Sequence, residues 1–261
     1  MLGKLFKYDF KWINKIMYVY FILLIIISIA TKIVENMDQT LLLVVVDKIL
    51  SGMFIGCAVS TLVTSVMRVW HRFINSIYKD ESYLTHTLPV TKNQIFNSKI
   101  LAGISTTLAS ALVITICLAF IYINKDTLNG IKIMYQSLVK TYNEIFATGF
   151  IIGLVLLIAL EIVYFMMSGI LGIVIGHRSN NNKILKSIII GIVSYGLLST
   201  MSLIIISIIS KFIDYDIIGN GFPTMNYVGI VGTASLLTYL AYDLAYYFIA
   251  KKILNKGVNI E

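Results

Sequence analysis

The sequence predicts an all-α membrane protein with six transmembrane helices, an N-terminal interfacial amphipathic helix, and a cytoplasmic elbow between spans two and three. Three observations predict it. First, 58% of the 261 residues are hydrophobic, only 13% are charged, and mean hydropathy is +0.86. A soluble domain carries roughly 45–50% apolar and about 25% charged residues, so a water-soluble core here would lack the polar surface to cover it. Second, Lys4, Lys7, Lys11 and Lys15 recur at three- and four-residue spacing and run into residues 17–29, which carry no charge. Third, apolar runs of the length needed to cross ~30 Å of hydrocarbon recur along the chain.

At ~100° per residue the four lysines fall within roughly an 80° arc, with Leu2, Leu5, Phe6, Ile13 and Ile16 on the other side. Residues 1–15 are therefore expected to lie along a membrane surface, cations toward anionic headgroups. Asp9 sits on the apolar side and spoils the pattern. A basic start followed by an apolar run is also the signature of a cleaved signal peptide. Against that reading, the run is long, no small-x-small site follows Ile29 cleanly, and more spans follow.

The six spans are read at about 16–34, 45–69, 100–123, 145–175, 187–210 and 226–250. With the N-terminus inside, the inner segments hold Lys4, Lys7, Lys11, Lys15, Arg68, Arg72, Lys79, Lys92, Lys99, Arg178, Lys183, Lys186, Lys251, Lys252 and Lys256. Lys32, Lys48, Lys125, Lys132, Lys140 and Lys211 remain outside. This asymmetry places both termini in the cytoplasm. Asp47 and Lys48 make the second span the least regular, unless residues 40–46 are interfacial and the span proper begins near Ile49. The run 145–175 must tilt, bend or stand proud of the outer leaflet.

The net charge of +8 does not point to nucleic acid, because the basic residues flank spans. Cys57 and Cys117 lie within apolar runs and read as small buried residues. GxxxG spacings at Gly52/Gly56, Gly149/Gly153 and Gly172/Gly176 allow close helix approach, within the chain or across a dimer seam.

The longest inner connection, residues 70–99, is organised. Asp80 can cap a short helix, with Glu81 in its first turn. Tyr83, Leu84, Thr87 and Leu88 give that helix a less polar face, and Pro89 ends it. Thr91 followed by Gln94 is a capping-box pattern that starts the helix climbing into span three. The apolar side of this elbow either meets a partner or packs on headgroups and the chain's own first helix.

These residues carry a family resemblance. Lys79-Asp80-Glu81, then Leu84-Thr85-His86-Thr87-Leu88-Pro89-Val90 and Thr91-Lys92, resemble the first cytoplasmic loop of ATP-binding-cassette exporter permeases of the second (ABC-2) class, as found in low-GC Gram-positive bacteria. The basic first helix, six spans and inner termini agree. The resemblance implies that the elbow docks on a separate cassette ATPase subunit, present in two copies, through Asp80, Glu81, Tyr83, Leu84, Leu88 and Pro89. It also implies a second permease copy or related permease. ATP and magnesium would be held by the partner, and no cofactor or catalytic group by this chain. The inner loop 176–186 adds a smaller contact or is a plain solvated turn.

No Gly-x-x-x-x-Gly-Lys-Ser/Thr loop occurs, so an ATPase must be encoded elsewhere. His71, His86 and His177 fall in inner loops, away from bilayer depth and without zinc spacing, and no nucleophile–base pair stands out. An enzyme is not expected. Glu161 and Asp243 are intramembrane carboxylates. They line a cleft for cationic or amphipathic cargo, serve as a proton site, or hydrogen-bond neighbours such as Tyr164, Ser168, Tyr239 and Tyr242. Outside, residues 124–144 form an amphipathic surface helix carrying three lysines, while residues 211–227 are turn-rich and short for a re-entrant pair.

The expectation is one transmembrane domain in a bacterial plasma membrane, exporting an amphipathic peptide (toxin or bacteriocin-like) or a lipophilic drug. The rivals are an ion-driven secondary transporter using Glu161 and Asp243, and a membrane anchor recruiting a soluble partner. No half-to-half repeat is seen, and Pro89 and Pro223 lie outside the spans, against the first rival.

Overall fold

The computed structural model describes residues 1–37, 40–79, 81–212, 217–218 and 222–257. Eight helices account for nearly all of them: α1 (Leu2–Glu35), α2 (Leu41–Ile77), α3 (Ser82–Thr87), α4 (Lys92–Tyr122), α5 (Lys125–Thr141), α6 (Glu144–Gly176), α7 (Lys183–Phe212) and α8 (Met225–Asn255). A two-residue antiparallel pair, β1 (Ile217–Ile218) and β2 (Phe222–Pro223), precedes α8. The outer-loop acids Asp214 and Asp216 lie outside the described residues.

Six of the helices are long and apolar enough to cross a membrane, and each contains one of the expected spans. Their outer faces carry large apolar side chains in the open, for example Ile22, Ile26 and Ile29 on α1 and Ile189, Ile192 and Val193 on α7. Water would oppose such surfaces and hydrocarbon would not, so the chain fits a multi-pass membrane protein.

One expectation changes. Residues 1–15 are not a separate surface helix. They are the first turns of α1, a continuous helix of 34 residues, ~51 Å long. The physical reason is the face opposite the lysines. Asp9, Ile13, Asn14 and Met17 are buried against protein rather than spread on headgroups. Thr40 caps α2, accepting from the Leu43 amide, and the helix runs through Asp47 and Lys48.

The residues divide into two compact units, Met1–Asn129 and Gly130–Glu261. In the first, α1 packs on both α2 and α4. Leu24, Phe54, Ile114, Cys117 and Ile121 form a buried apolar cluster in it. Buried hydroxyls there bond back to their own helix, as Thr61 does to the Cys57 carbonyl at 2.7 Å and Ser110 to that of Thr106 at 2.9 Å. Between α1 and α4, Asn14 Nδ2 donates to Thr106 Oγ1 at 2.9 Å. At the other end Lys32 closes the unit, donating to the Ile121 carbonyl at 2.8 Å and to Asn124 Oδ1 at 2.6 Å.

In the second unit α6 packs on α7 and α8. Here the three GxxxG spacings separate. A Cβ on Gly172 would sit 2.5 Å from the Ser187 carbonyl oxygen and 2.7 Å from the Gly191 nitrogen; one on Gly176 would sit 2.5 Å from the Ser187 nitrogen. The α6 and α7 backbones touch, with small residues on both sides. At Gly52, Gly56, Gly149 and Gly153 nothing lies within 4 Å. Gly176→Ala is therefore expected to lower stability by about 1–3 kcal/mol through overpacking. Gly149→Ala is expected to be neutral or slightly stabilising. Thermal unfolding in detergent separates the two.

Candidate functional site

The end of the first unit that carries residue 1 is built around a buried carboxylate. Asp9 on α1 accepts from Arg72 Nε at 2.8 Å, Lys99 Nζ at 3.2 Å and Ser98 Oγ at 2.8 Å. Arg72, near the end of α2, uses its other edge: Nη1 donates to Glu81 Oε2. Asp9, Arg72 and Lys99 are buried and Glu81 is partly exposed. Two acids and two bases leave no net charge, which is the condition under which such a group can be held out of water. Above them Trp12 stacks on His71, and the Arg68 guanidinium lies 4.0 Å from the Trp12 ring centroid.

This cluster fixes the start of α3. The chain reverses after Ile77 through Tyr78, whose ring packs with Phe73, itself edge-on to Phe96. Burial pushes the Tyr78 phenol well above its ordinary range. The Glu81 amide donates to the Asn75 carbonyl, and Glu81 occupies the N-cap of α3 without a side-chain cap. Asp80, the expected cap, lies outside the described residues. The six-residue α3 ends at Leu88, which is extended (φ −62°, ψ 141°), as a residue preceding proline must be. Thr91 and Gln94 then make the expected reciprocal capping box at the start of α4.

The expected docking residues therefore face two ways. Glu81 is turned inward to Arg72, while Tyr83, Leu84 and Leu88 are 76%, 67% and 44% exposed, and Pro89 is exposed beside them. Leu84 and Leu88 also edge a cavity of about 310 Å³, with Leu5 and Ile95 as further apolar walls and Asp9, Arg72, Glu81 and Lys99 as its charged lining. Asp9, Arg72 and Lys99 were not among the sequence candidates. Arg72 and Lys99 read as charges flanking spans, and Asp9 as an irregularity. The signal was present: an acid on the apolar face of a lysine-striped helix demands a buried base.

The second unit holds the intramembrane acids. Glu161 on α6 accepts from the Tyr195 hydroxyl at 2.8 Å and from that of Tyr239. Tyr164 is fully buried, and its hydroxyl and that of Tyr246 each donate to the Ser194 carbonyl at 2.6 Å. Asp243 lies one turn beyond Tyr239 on α8, and both of its oxygens are buried without a partner among the described residues. Glu161 is thus held by tyrosines and Asp243 is not. Glu161→Leu leaves the part-buried Tyr239 hydroxyl without its acceptor and is expected to cost about 1–3 kcal/mol. Asp243→Asn removes an unsupported charge and is expected to leave the unfolding temperature unchanged or higher. Around the connection 176–183, His177 is fully buried and shares its Nδ1 with the Ile173 carbonyl at 2.9 Å and Ser187 Oγ at 3.3 Å. That connection is therefore not solvated throughout.

No family model, no curated protein and no solved structure matches the chain.

Proposed function

We propose that this chain is the membrane-spanning permease subunit of an ATP-driven exporter of the ABC-2 class. One observation carries the reading: α3 is clamped at its start by the Glu81–Arg72 pair and turns Tyr83, Leu84 and Leu88 outward. Exposed apolar side chains on a short, anchored helix form a surface for a partner, and the charge cluster gives that partner a rigid grip on α1, α2 and α4 at once. In this reading both termini and α3 face the cytoplasm of a bacterial plasma membrane, and the lysine asymmetry supports that orientation. There α3 meets a cassette ATPase subunit, two copies serving a pair of permeases, identical or related. ATP and magnesium stay on the ATPase, and this chain catalyses no reaction. Cargo passes outward through an apolar cleft with few charges, which favours an amphipathic peptide or a lipophilic drug.

The test is co-purification of the chain with the cassette ATPase of its own gene neighbourhood, followed by ATP-dependent export from inverted vesicles. A second reading, an ion-driven transporter, draws support from the unpartnered oxygens of Asp243. Transport that persists without any ATPase and follows the proton gradient establishes that reading instead. Recruitment of a soluble partner with no ATP-dependent transport marks a membrane anchor.

A further inference from the structure

Among the described residues, α5 is the one long helix that buries nothing. It joins α4 to α6 through two-residue links, Ile123–Asn124 and Tyr142–Asn143. At 17 residues, ~26 Å, and with three lysines and an aspartate, it does not cross a bilayer. Its neighbours do, so links this short hold it at the boundary where α4 leaves the hydrocarbon and α6 enters.

Its sequence is sorted by side. At ~100° per residue, Leu128, Ile131, Met134, Tyr135, Leu138 and Val139 occupy one arc, and Lys132, Lys125 and Lys140 follow in that order along one flank. Ile133 on the polar side and Thr127 within the arc break the pattern. The orientation of the arc is set by a contact. The Tyr135 hydroxyl and Thr148 Oγ1 lie 3.2 Å apart, bracing the arc's edge against the first turns of α6. Tyr135, Leu138 and Val139 are half-buried as a result, while Leu128, Ile131 and Met134 remain exposed. The apolar side thus turns toward the membrane-crossing helix. Tyr135 and Tyr142 add amphipathic rings of the kind enriched at membrane–water boundaries.

We propose that α5 is a lipid-binding helix: Leu128, Ile131 and Met134 enter the acyl boundary, and Lys125, Lys132 and Lys140 bind the phosphates of anionic phospholipids. The two features require each other. The exposed apolar arc has hydrocarbon beside it, and a row of ammoniums along its rim then stands at headgroup depth, opposite negative charge. Only the membrane-spanning character of α4 and α6 is needed for this role, whatever the function of the protein.

The test uses the full chain with Cys57 and Cys117 replaced by alanine, reconstituted in vesicles of phosphatidylglycerol and phosphatidylcholine. Spin labels are placed singly at Ile131, Met134 and Leu138, and at Asn129, Gln136 and Lys140. The first three are expected to collide with oxygen and the second three with a water-soluble nickel reagent. Equal exposure to nickel at all six overturns the proposal in favour of a solvated helix. Shielding of Ile131 and Met134 from both reagents overturns it in favour of a protein partner, a second copy included. Replacing the three lysines by glutamine is expected to reduce the preference for phosphatidylglycerol among bound lipids, by up to about fivefold per lysine. An unchanged preference removes the lysines' assigned role.

Discussion

Replacing Arg72 with methionine is expected to destabilise the first unit by about 3–5 kcal/mol. Arg72 serves two acids at once, through Nε to Asp9 and Nη1 to Glu81. Its removal leaves Glu81 without its partner and Asp9 with Lys99 at 3.2 Å and the Ser98 hydroxyl. The buried site then carries an excess negative charge. Arg72→Lys is expected to recover only part of the loss, since a single ammonium does not reproduce a fork that reaches two carboxylates. Asp9→Asn combined with Arg72→Met restores electrical balance and should be more stable than Arg72→Met alone. Thermal unfolding of the four proteins in one detergent orders them. An Arg72→Met protein as stable as the parent would show that the cluster is not buried in the folded chain.

Leu84→Asp is expected to weaken capture of the cassette ATPase by roughly 30-fold, the loss associated with a central interface anchor. Stability should change little, because Leu84 is 67% exposed and its change touches no packed core. That separation of binding from folding makes Leu84 a better probe than Glu81, whose carboxylate is held by Arg72. Glu81→Gln is expected to lower both unfolding temperature and ATPase capture. If the Leu84→Asp protein captures the ATPase and exports cargo like the parent, α3 is not the docking element and the proposed function fails with it.

Much of the architecture was legible in the sequence because hydrocarbon permits so few solutions. Six apolar runs had to be six helices, and Thr91 with Gln94 announced where α4 begins. What the sequence did not reveal was pairing. A lysine stripe at residues 4–15 is equally compatible with a helix lying on headgroups and with one whose other side packs on protein; only the partners of Asp9 decide. The same limit applied to glycine. Gly52/Gly56, Gly149/Gly153 and Gly172/Gly176 share one spacing, yet only the last pair meets another backbone, since the pattern permits approach without specifying what approaches. Glu161 and Asp243 likewise read as equivalent acids until the tyrosines of α7 and α8 were seen to serve only the first.

The crossing at Gly172 and Gly176 also bears on how the second unit deforms. Where two helices meet backbone to backbone, no flexible side chains stand between them to absorb sliding, so α6 and α7 travel as a fused pair. The seam between α6 and α8 is different: beside Gly149, Gly153, Gly229 and Gly232 it holds an unfilled apolar groove of about 460 Å³. The α6–α8 seam therefore has room to give that the α6–α7 crossing at these glycines lacks.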